Sequence, residues 1–221
     1  MIRAVVFDLY ETLITESGIQ TTRAGSLANT LGLERDAYRR EWKARRPGVV
    51  RGQMSFADAL MEISETLNGN VDVEVVRRIC EQRIREKAVA YAQRHEEVAA
   101  LVTTLARQGV RLAVVSNGFQ EDVIGWPDWA LANRFACTVF SCAERVAKPD
   151  PEIYRRAIQR LDVEPAAAAY IGDGADDELA GAEQAGLRAG RAAWFVAQSS
   201  GQGAWPELAG SQDALRFVGV S

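Results

Sequence analysis

Histidine is almost missing from this chain. His95 is the single one in 221 residues, which excludes a mechanism that needs two histidines and a zinc site built mainly from them. Cysteine is nearly as scarce. Cys80, Cys137 and Cys142 are widely spaced and form no metal or redox motif, so each reads as a small buried side chain in a reduced, cytoplasmic setting. No apolar run approaches the roughly 20 residues that span a bilayer, so no membrane partner is expected. The N-terminal apolar run meets Asp8 at once, too soon for a secretory leader. A positive excess is absent as well. The formal net charge of −4 argues against a general nucleic-acid binder. What remains is an ordinary globular composition, 48% hydrophobic and 25% charged, in a chain long enough for a full-sized core or one domain with a helical insert.

The chain opens "MIRAVVFDLYETLI". Ile2 and Ala4 to Phe7 form a nearly continuous apolar run, suited to a central strand of a parallel sheet covered on both faces. Asp8 arrives where that strand should end. It can cap or turn the chain there, or it can serve a ligand, since open α/β sheets bind ligands at the carboxyl ends of their strands.

After Thr12 the pattern turns helical for about ninety residues. "TTRAGSLANTLGL", "ERDAYRREWKARR", "SFADALMEISETLNG" and "VEVVRRICEQRIREKAVAYAQ" each space apolar residues by three and four. Gly32, Pro47-Gly48, Ser55 and Asn68-Gly69-Asn70 separate them as turn or cap signals. We read residues 15–90 as an all-α module inserted after the first strand, with residues 1–14 and 91–221 as the core. The helices share no common period, so they are not repeats.

Strands and helices then alternate. "EEVAALVTTLARQG" is a predicted helix, "VRLAVVSNG" and "FACTVFS" strands, "DPEIYRRAIQRLD" a helix, "AAAAYIGDG" a strand, "DDELAGAEQAG" a helix and "LRAGRAAWFV" a strand. A Gly/Ser-rich loop, "AQSSGQGAW", precedes a short terminal helix. This alternation predicts an α/β fold: a Rossmann-like parallel sheet with helices on both faces and right-handed crossovers. The polar turns that follow the strands should gather along one edge.

Four such turns carry the candidate chemistry: Asp8 with Thr12, Ser116-Asn117, Lys148 in "AKPDPEIY", and Asp173 with Asp177 in "IGDGADDE". Each has a structural alternative. Thr12 and Ser116 can cap helices, Lys148 can be a solvated loop lysine, and the Asp173, Asp176, Asp177, Glu178 group can be favourable charge at a helix N-terminus. Those alternatives would have to coincide in four separate turns. In this order the four motifs resemble those of the haloacid dehalogenase-like hydrolase superfamily, over residues 5 to about 186. The resemblance implies a Rossmann-like core with a helical cap inserted between the first and second motifs, where the helical module lies.

The chemistry of these residue types agrees with the resemblance. An aspartate with an ordinary pKa of about 3.9 is ionised at neutral pH and needs no activating base to act as a nucleophile. Attack by Asp8 on phosphorus would give an aspartyl-phosphate, and attack on a halide-bearing carbon would give an ester. Two anions meeting need positive charge between them. Lys148 can supply part of it, and a Mg²⁺ held by Asp8, Asp173 and the Tyr10 carbonyl more. The Thr12 and Ser116 hydroxyls, with backbone N–H groups near Asn117, would cradle phosphate oxygens. By the resemblance, Asp177 would orient the metal's waters or Lys148 from outside.

One position departs from the phosphatase pattern of that superfamily. Its phosphatases usually carry a second aspartate two residues after the nucleophile, as acid and base for the leaving group. Here that position is Tyr10, and the usual glycine after it is Glu11. A tyrosine there resembles the 2-haloacid dehalogenases, which release halide without a proton and without a metal. The fourth motif points the other way, because the dehalogenases lack an acidic metal ligand there and this chain has Asp173. We favour a Mg²⁺-dependent phosphatase of a small anionic metabolite, with a dehalogenase second and a weakly catalytic binding relative third. In the helical module Arg39, Arg40, Lys43, Arg45, Arg46 and Arg51 either form a solvated basic face or lend one or two arginines to the cleft, with Trp42 and Tyr38 in its lining or in the core. A monomer and a homodimer both fit.

Overall fold

Runs rich in alanine, valine and isoleucine pair side by side into one sheet. The computed structural model describes residues 1–19, 24–70, 72–195 and 205–220. Among them the strands are β1 (Ala4–Phe7), β2 (Arg111–Ser116), β3 (Cys137–Phe140), β4 (Ala168–Gly172), β5 (Arg188–Ala192) and β6 (Glu207–Leu208). They form a six-stranded sheet in the order β3-β2-β1-β4-β5-β6, with every pairing parallel. That is the doubly wound Rossmann order, with β1 between the strands at which the winding reverses. The expected α/β fold is therefore present. The short β6 extends it beyond the strands predicted. All of the Gly/Ser-rich loop expected at 197–205 except Trp205 lies outside the described residues, as do the first three residues of the first expected helix.

The helices are α1 (Ala24–Thr30), α2 (Arg35–Val50), α3 (Phe56–Asn68), α4 (Val73–Ala92), α5 (Glu96–Arg107), α6 (Gln120–Val123), α7 (Ser141–Glu144), α8 (Pro151–Leu161), α9 (Glu178–Gln184) and α10 (Ser211–Val218). Side chains alternate across a strand, and here the alternation sorts two cores. Val5 and Phe7 face one side with Leu101, Leu105 and Phe217 of α5 and α10. Ala4 and Val6 face the other with Ile153, Tyr154 and Leu179 of α8 and α9. Both faces of β1 are thus buried, as its unbroken apolar run requires.

A third cluster belongs to α1–α4. Leu27, Tyr38, Val50, Phe56, Leu60, Ile63 and Ile79 meet in it, and Phe119 and Ala147 enter it from loops beyond β2 and α7. The boundary expected at residue 90 falls inside α4, whose Ala90 and Tyr91 pack into the sheet's own core. Pro47-Gly48, expected to end a helix, lies instead inside α2. Proline in a helix interior costs about 3 kcal/mol. Val49 and Val50 follow it and are buried, and two such side chains return roughly 3–6 kcal/mol. Burial wins, and the helix continues. Among the described residues no helix is long and apolar enough to cross a membrane.

The end of α2 is seated closely on the core. Ser141 Oγ donates to the Val50 carbonyl at 2.7 Å, and a Cβ on Gly52 would stand 1.9 Å from the Cys142 carbonyl oxygen. Gly52 also has a φ of +61°, in the left-handed region. A side chain there costs about 1–2 kcal/mol in backbone strain alone, before the clash. Gly52→Ala should therefore lower the melting temperature by about 4–8 °C, read by calorimetry, for a loss of about 2 kcal/mol in a chain of this size. A change below 1 °C would mean that this contact is not made in solution.

Candidate active site

Parallel strands bring their carboxyl ends to one edge, and the polar turns meet there. Asp8 follows β1, with its backbone N–H donating to the Ile171 carbonyl of β4 at 2.9 Å. Ser116 ends β2 and Gly172 ends β4. Asp8, Ser116 and Lys148 are all buried. Lys148 Nζ donates to Asp8 Oδ1 at 2.5 Å and also to Glu178 Oε2. Asp8, Asp173 and Glu178 each present a carboxylate oxygen within 4.8 Å of the others.

Lys148 is no solvated loop residue. The Asn117 side chain clamps its backbone, Oδ1 accepting from the Lys148 N–H at 2.9 Å and Nδ2 donating to its carbonyl at 3.1 Å. Asn117 Nδ2 also donates to Asp176 Oδ2 at 2.9 Å. Asn117 thus spends its side-chain amide on the segment that carries the lysine. The Thr12 hydroxyl is buried and has no hydrogen-bond partner among the described residues. An orphaned buried donor is costly, and a ligand oxygen beside it would remove the cost.

Glu178 was legible only as charge at a helix N-terminus. Asp176 and Asp177 both have φ of +53°, and these two left-handed residues turn the chain before α9 begins. Asp177 is left exposed, outside the carboxylate group, while Glu178 points inward and is fully buried. So Glu178, not Asp177, bonds Lys148. Its remaining oxygen accepts the Gly174 N–H at 2.9 Å, and the Tyr170 hydroxyl donates to Oε2 at 2.7 Å. Gly172 makes room for it, since a Cβ there would lie 2.1 Å from Glu178 Oε1. Both Glu178 oxygens already accept hydrogen bonds, whereas Asp8 and Asp173 each accept at one oxygen and have the other to offer.

The electrostatics follow from burial and charge count. Burial pushes the Asp8 carboxyl up to about 8; Lys148 pulls the other way, and Glu178 and Asp173 add to the rise. Burial also lifts Asp173 to about 6, against a backbone bond from Ala175 that favours its charge. For Lys148 burial opposes the charge, but Asp8 and Glu178 outweigh it and hold the ammonium above its ordinary range. Three carboxylates face one lysine. The deficit of positive charge is what an oxygen-seeking divalent cation would answer.

A cavity of about 300 Å³ adjoins this edge, between the sheet and the α1–α4 segment, and Tyr10, Asn117, Trp42, Arg83 and Lys87 are among its walls. Tyr10 donates its hydroxyl to the Asp122 carbonyl at 2.8 Å. Glu11 is turned away by a φ of +56°, and its carboxylate accepts from the Thr15 hydroxyl and the Glu16 N–H at 2.7 and 2.8 Å. Arg83 grips Asp122 through two bonds of 2.7 and 2.8 Å and lies 4.5 Å over the Phe119 ring. Lys87 pairs with Glu16 at 2.7 Å and sits 4.0 Å over the Tyr10 ring. Of the arginines expected near the cleft, Arg46 lines this cavity and a second one that it shares with Lys148 and Arg51. Arg39 and Arg45 pair instead with acidic neighbours of their own helical segment. Tyr38 is core, and Trp42 lines the cavity. Arg83 and Lys87 escaped the sequence reading, although a signal existed. They continue, at four-residue spacing, the stripe in which Val76, Ile79 and Ala90 are buried on α4.

Comparison with known proteins agrees with this geometry. A family model for haloacid dehalogenase-like hydrolases matches residues 2–186. A phosphoserine phosphatase of Thermus thermophilus is 31% identical over 118 residues, covering 49% of this chain and only 46% of that relative. A glyceraldehyde 3-phosphate phosphatase of Methanopyrus kandleri is 26% identical over 193 residues, covering 85% of this chain and 82% of the relative. The crystal structure of a 2-haloacid dehalogenase from Pseudomonas syringae pv. Tomato superposes with a TM-score of 0.69 at 24% identity, covering 99% of this chain and 98% of that one. At that identity the likeness is one of fold.

Removing the lysine tests the charge balance. Lys148→Met leaves the buried carboxylates without a cation, and breaking a buried pair in this way costs about 3–5 kcal/mol. Urea denaturation in chelator should show that loss, and millimolar Mg²⁺ should restore part of it. Unchanged stability would mean that the carboxylates are solvated.

Proposed function

The chain belongs to the haloacid dehalogenase-like hydrolase family, and on that premise we propose that it is a Mg²⁺-dependent phosphatase of small phosphorylated metabolites. The observation that carries this reading is the trio Asp8, Asp173 and Glu178, answered among the described residues by Lys148 alone. Carbon–halogen chemistry with an anionic haloacid would bring a further negative charge to a carboxylate group that Lys148 does not balance. Tyr10 is the feature that favours such chemistry, and the carboxylate count outweighs it.

In this reading Asp8 is the nucleophile and forms an aspartyl-phosphate, which water then hydrolyses. Asp8 and Asp173, with the Tyr10 carbonyl, would hold the Mg²⁺, and Asp177 would act from the exposed side of the turn. All the donors are oxygens, as a hard cation requires. Bound there, the ion would supply the positive charge that brings a phosphoryl group against a carboxylate. Lys148 fixes Asp8 and neutralises it, while Glu178 and Asn117 hold the lysine in place. The unpartnered Thr12 hydroxyl and Ser116 are supplied for phosphate oxygens, with the backbone N–H groups beside Asn117. The α1–α4 segment acts as a cap that bounds the leaving-group cavity. The phosphatase relatives support this assignment by their names, and the orphaned hydroxyl supports it by its chemistry.

Two variants and a chelator test it. Asp8→Asn, nearly isosteric but without an anionic nucleophile, should abolish phosphate release while leaving the circular dichroism spectrum unchanged. Excess EDTA should stop the wild type, and Asp173→Ala should reproduce that loss. Full turnover in EDTA, or halide release from 2-haloacids, would replace this reading with the dehalogenase one.

A further inference from the structure

A phosphoryl transfer needs somewhere for the leaving oxygen's charge to go. General acids supply a proton, and their removal slows reactions of poor leaving groups by about 10²–10⁴-fold. The cavity beside the site contains phenol and carboxyl groups, and each is already committed. Tyr10 donates its one hydroxyl proton to the Asp122 carbonyl, and the Tyr91 hydroxyl donates to the same oxygen at 3.1 Å. Glu11 spends both carboxylate oxygens on its own turn. Asp122 accepts both bonds of Arg83, and Glu16 accepts from Lys87. A carboxylate that accepts from a cation has no proton to give.

The same walls hold three cations, each paired with an acid: Arg83 with Asp122, Lys87 with Glu16, and Arg46 with Asp176 at a longer 3.9 Å. A leaving group that departs as a stable anion needs no more than their remaining N–H donors; one that departs as an alkoxide still awaits a proton.

We propose that the substrates are phosphoryl donors whose leaving group is itself a stable anion, acyl phosphates or phosphoanhydrides, rather than alkyl phosphates. This rests on the phosphatase reading above and narrows it. Asp8 forms a bond to phosphorus while the bond from phosphorus to the bridging oxygen breaks. That oxygen keeps the electron pair and leaves as a carboxylate or phosphate, with no proton needed. Water then adds to phosphorus, the bond to Asp8 breaks, and Asp8 recovers its carboxylate. Both protons of the water remain on the released phosphate.

The test is a leaving-group series with the wild-type protein and Mg²⁺: acetyl phosphate, aryl phosphates of graded acidity, and an alkyl phosphate such as glycerol phosphate. We expect kcat/KM to fall steeply as the leaving group becomes less acidic, with acetyl phosphate at least about 10²-fold ahead of the alkyl ester. Tyr10→Asp should flatten the series by raising turnover of the alkyl ester selectively. A flat wild-type series would overturn the proposal and leave the phosphatase reading standing, because some group, Lys87 included, would then be protonating the leaving oxygen. No turnover of any phosphate, with no phosphoryl group trapped on Asp8, would overturn both.

Discussion

The arrangement depends on one buried ammonium. Lys148 lies between Asp8 and Glu178, and none of the three is exposed to more than a trace of solvent. Burying a charge is costly unless it is paired and hydrogen-bonded. The surrounding structure is organised to keep this one paired. β1 delivers Asp8, Asn117 after β2 clamps the lysine's backbone, and the turn after β4 inserts Glu178 through the space left at Gly172. Three strand ends therefore converge on one residue. The parallel order of the sheet makes that possible, because all its carboxyl ends share an edge.

Lys148 does not balance the charge it organises. One cation among three carboxylates leaves a negative excess, which adds to the burial that raises Asp8 and Asp173. The same excess makes the site receptive to a divalent cation and hostile to an anion without one. Positioning and charge deficit are two sides of one construction. Lys148 and Glu178 are bonded to one another and to Asp8, Tyr170 and Gly174, while the Thr12 hydroxyl has no partner among the described residues.

The helical segment contributes differently. It shares its core with Phe119 and Ala147, and it ties to the sheet side through Arg83–Asp122 and Lys87–Glu16. Those pairs lie against aromatic rings, Arg83 on Phe119 and Lys87 on Tyr10, so their charges are confined rather than solvated. The result is a walled space beside the carboxylate group, in which Tyr10 serves as wall and anchor. Its hydroxyl points into the protein.

Periodicity in the chain determined the α/β alternation, the parallel sheet, the helical insert and the four turns that hold Asp8, Ser116, Lys148 and Asp173. These are local properties: an apolar run of the right length is a buried strand, and a polar turn after it reaches the ligand-binding edge. Pro47 shows the limit of that reading, because a breaker signal is local and the burial of Val49 and Val50 that overrode it is not. Tertiary structure alone decided which acid reaches Lys148. Asp177 and Glu178 are neighbours of like charge, and only two successive left-handed residues turn one outward and the other in. It also decided that Tyr10 bonds a carbonyl 112 residues away and that Arg83 finds Asp122 across 39. Such pairings depend on where separate elements come to rest, and the spacing of residues along one element carries no record of that.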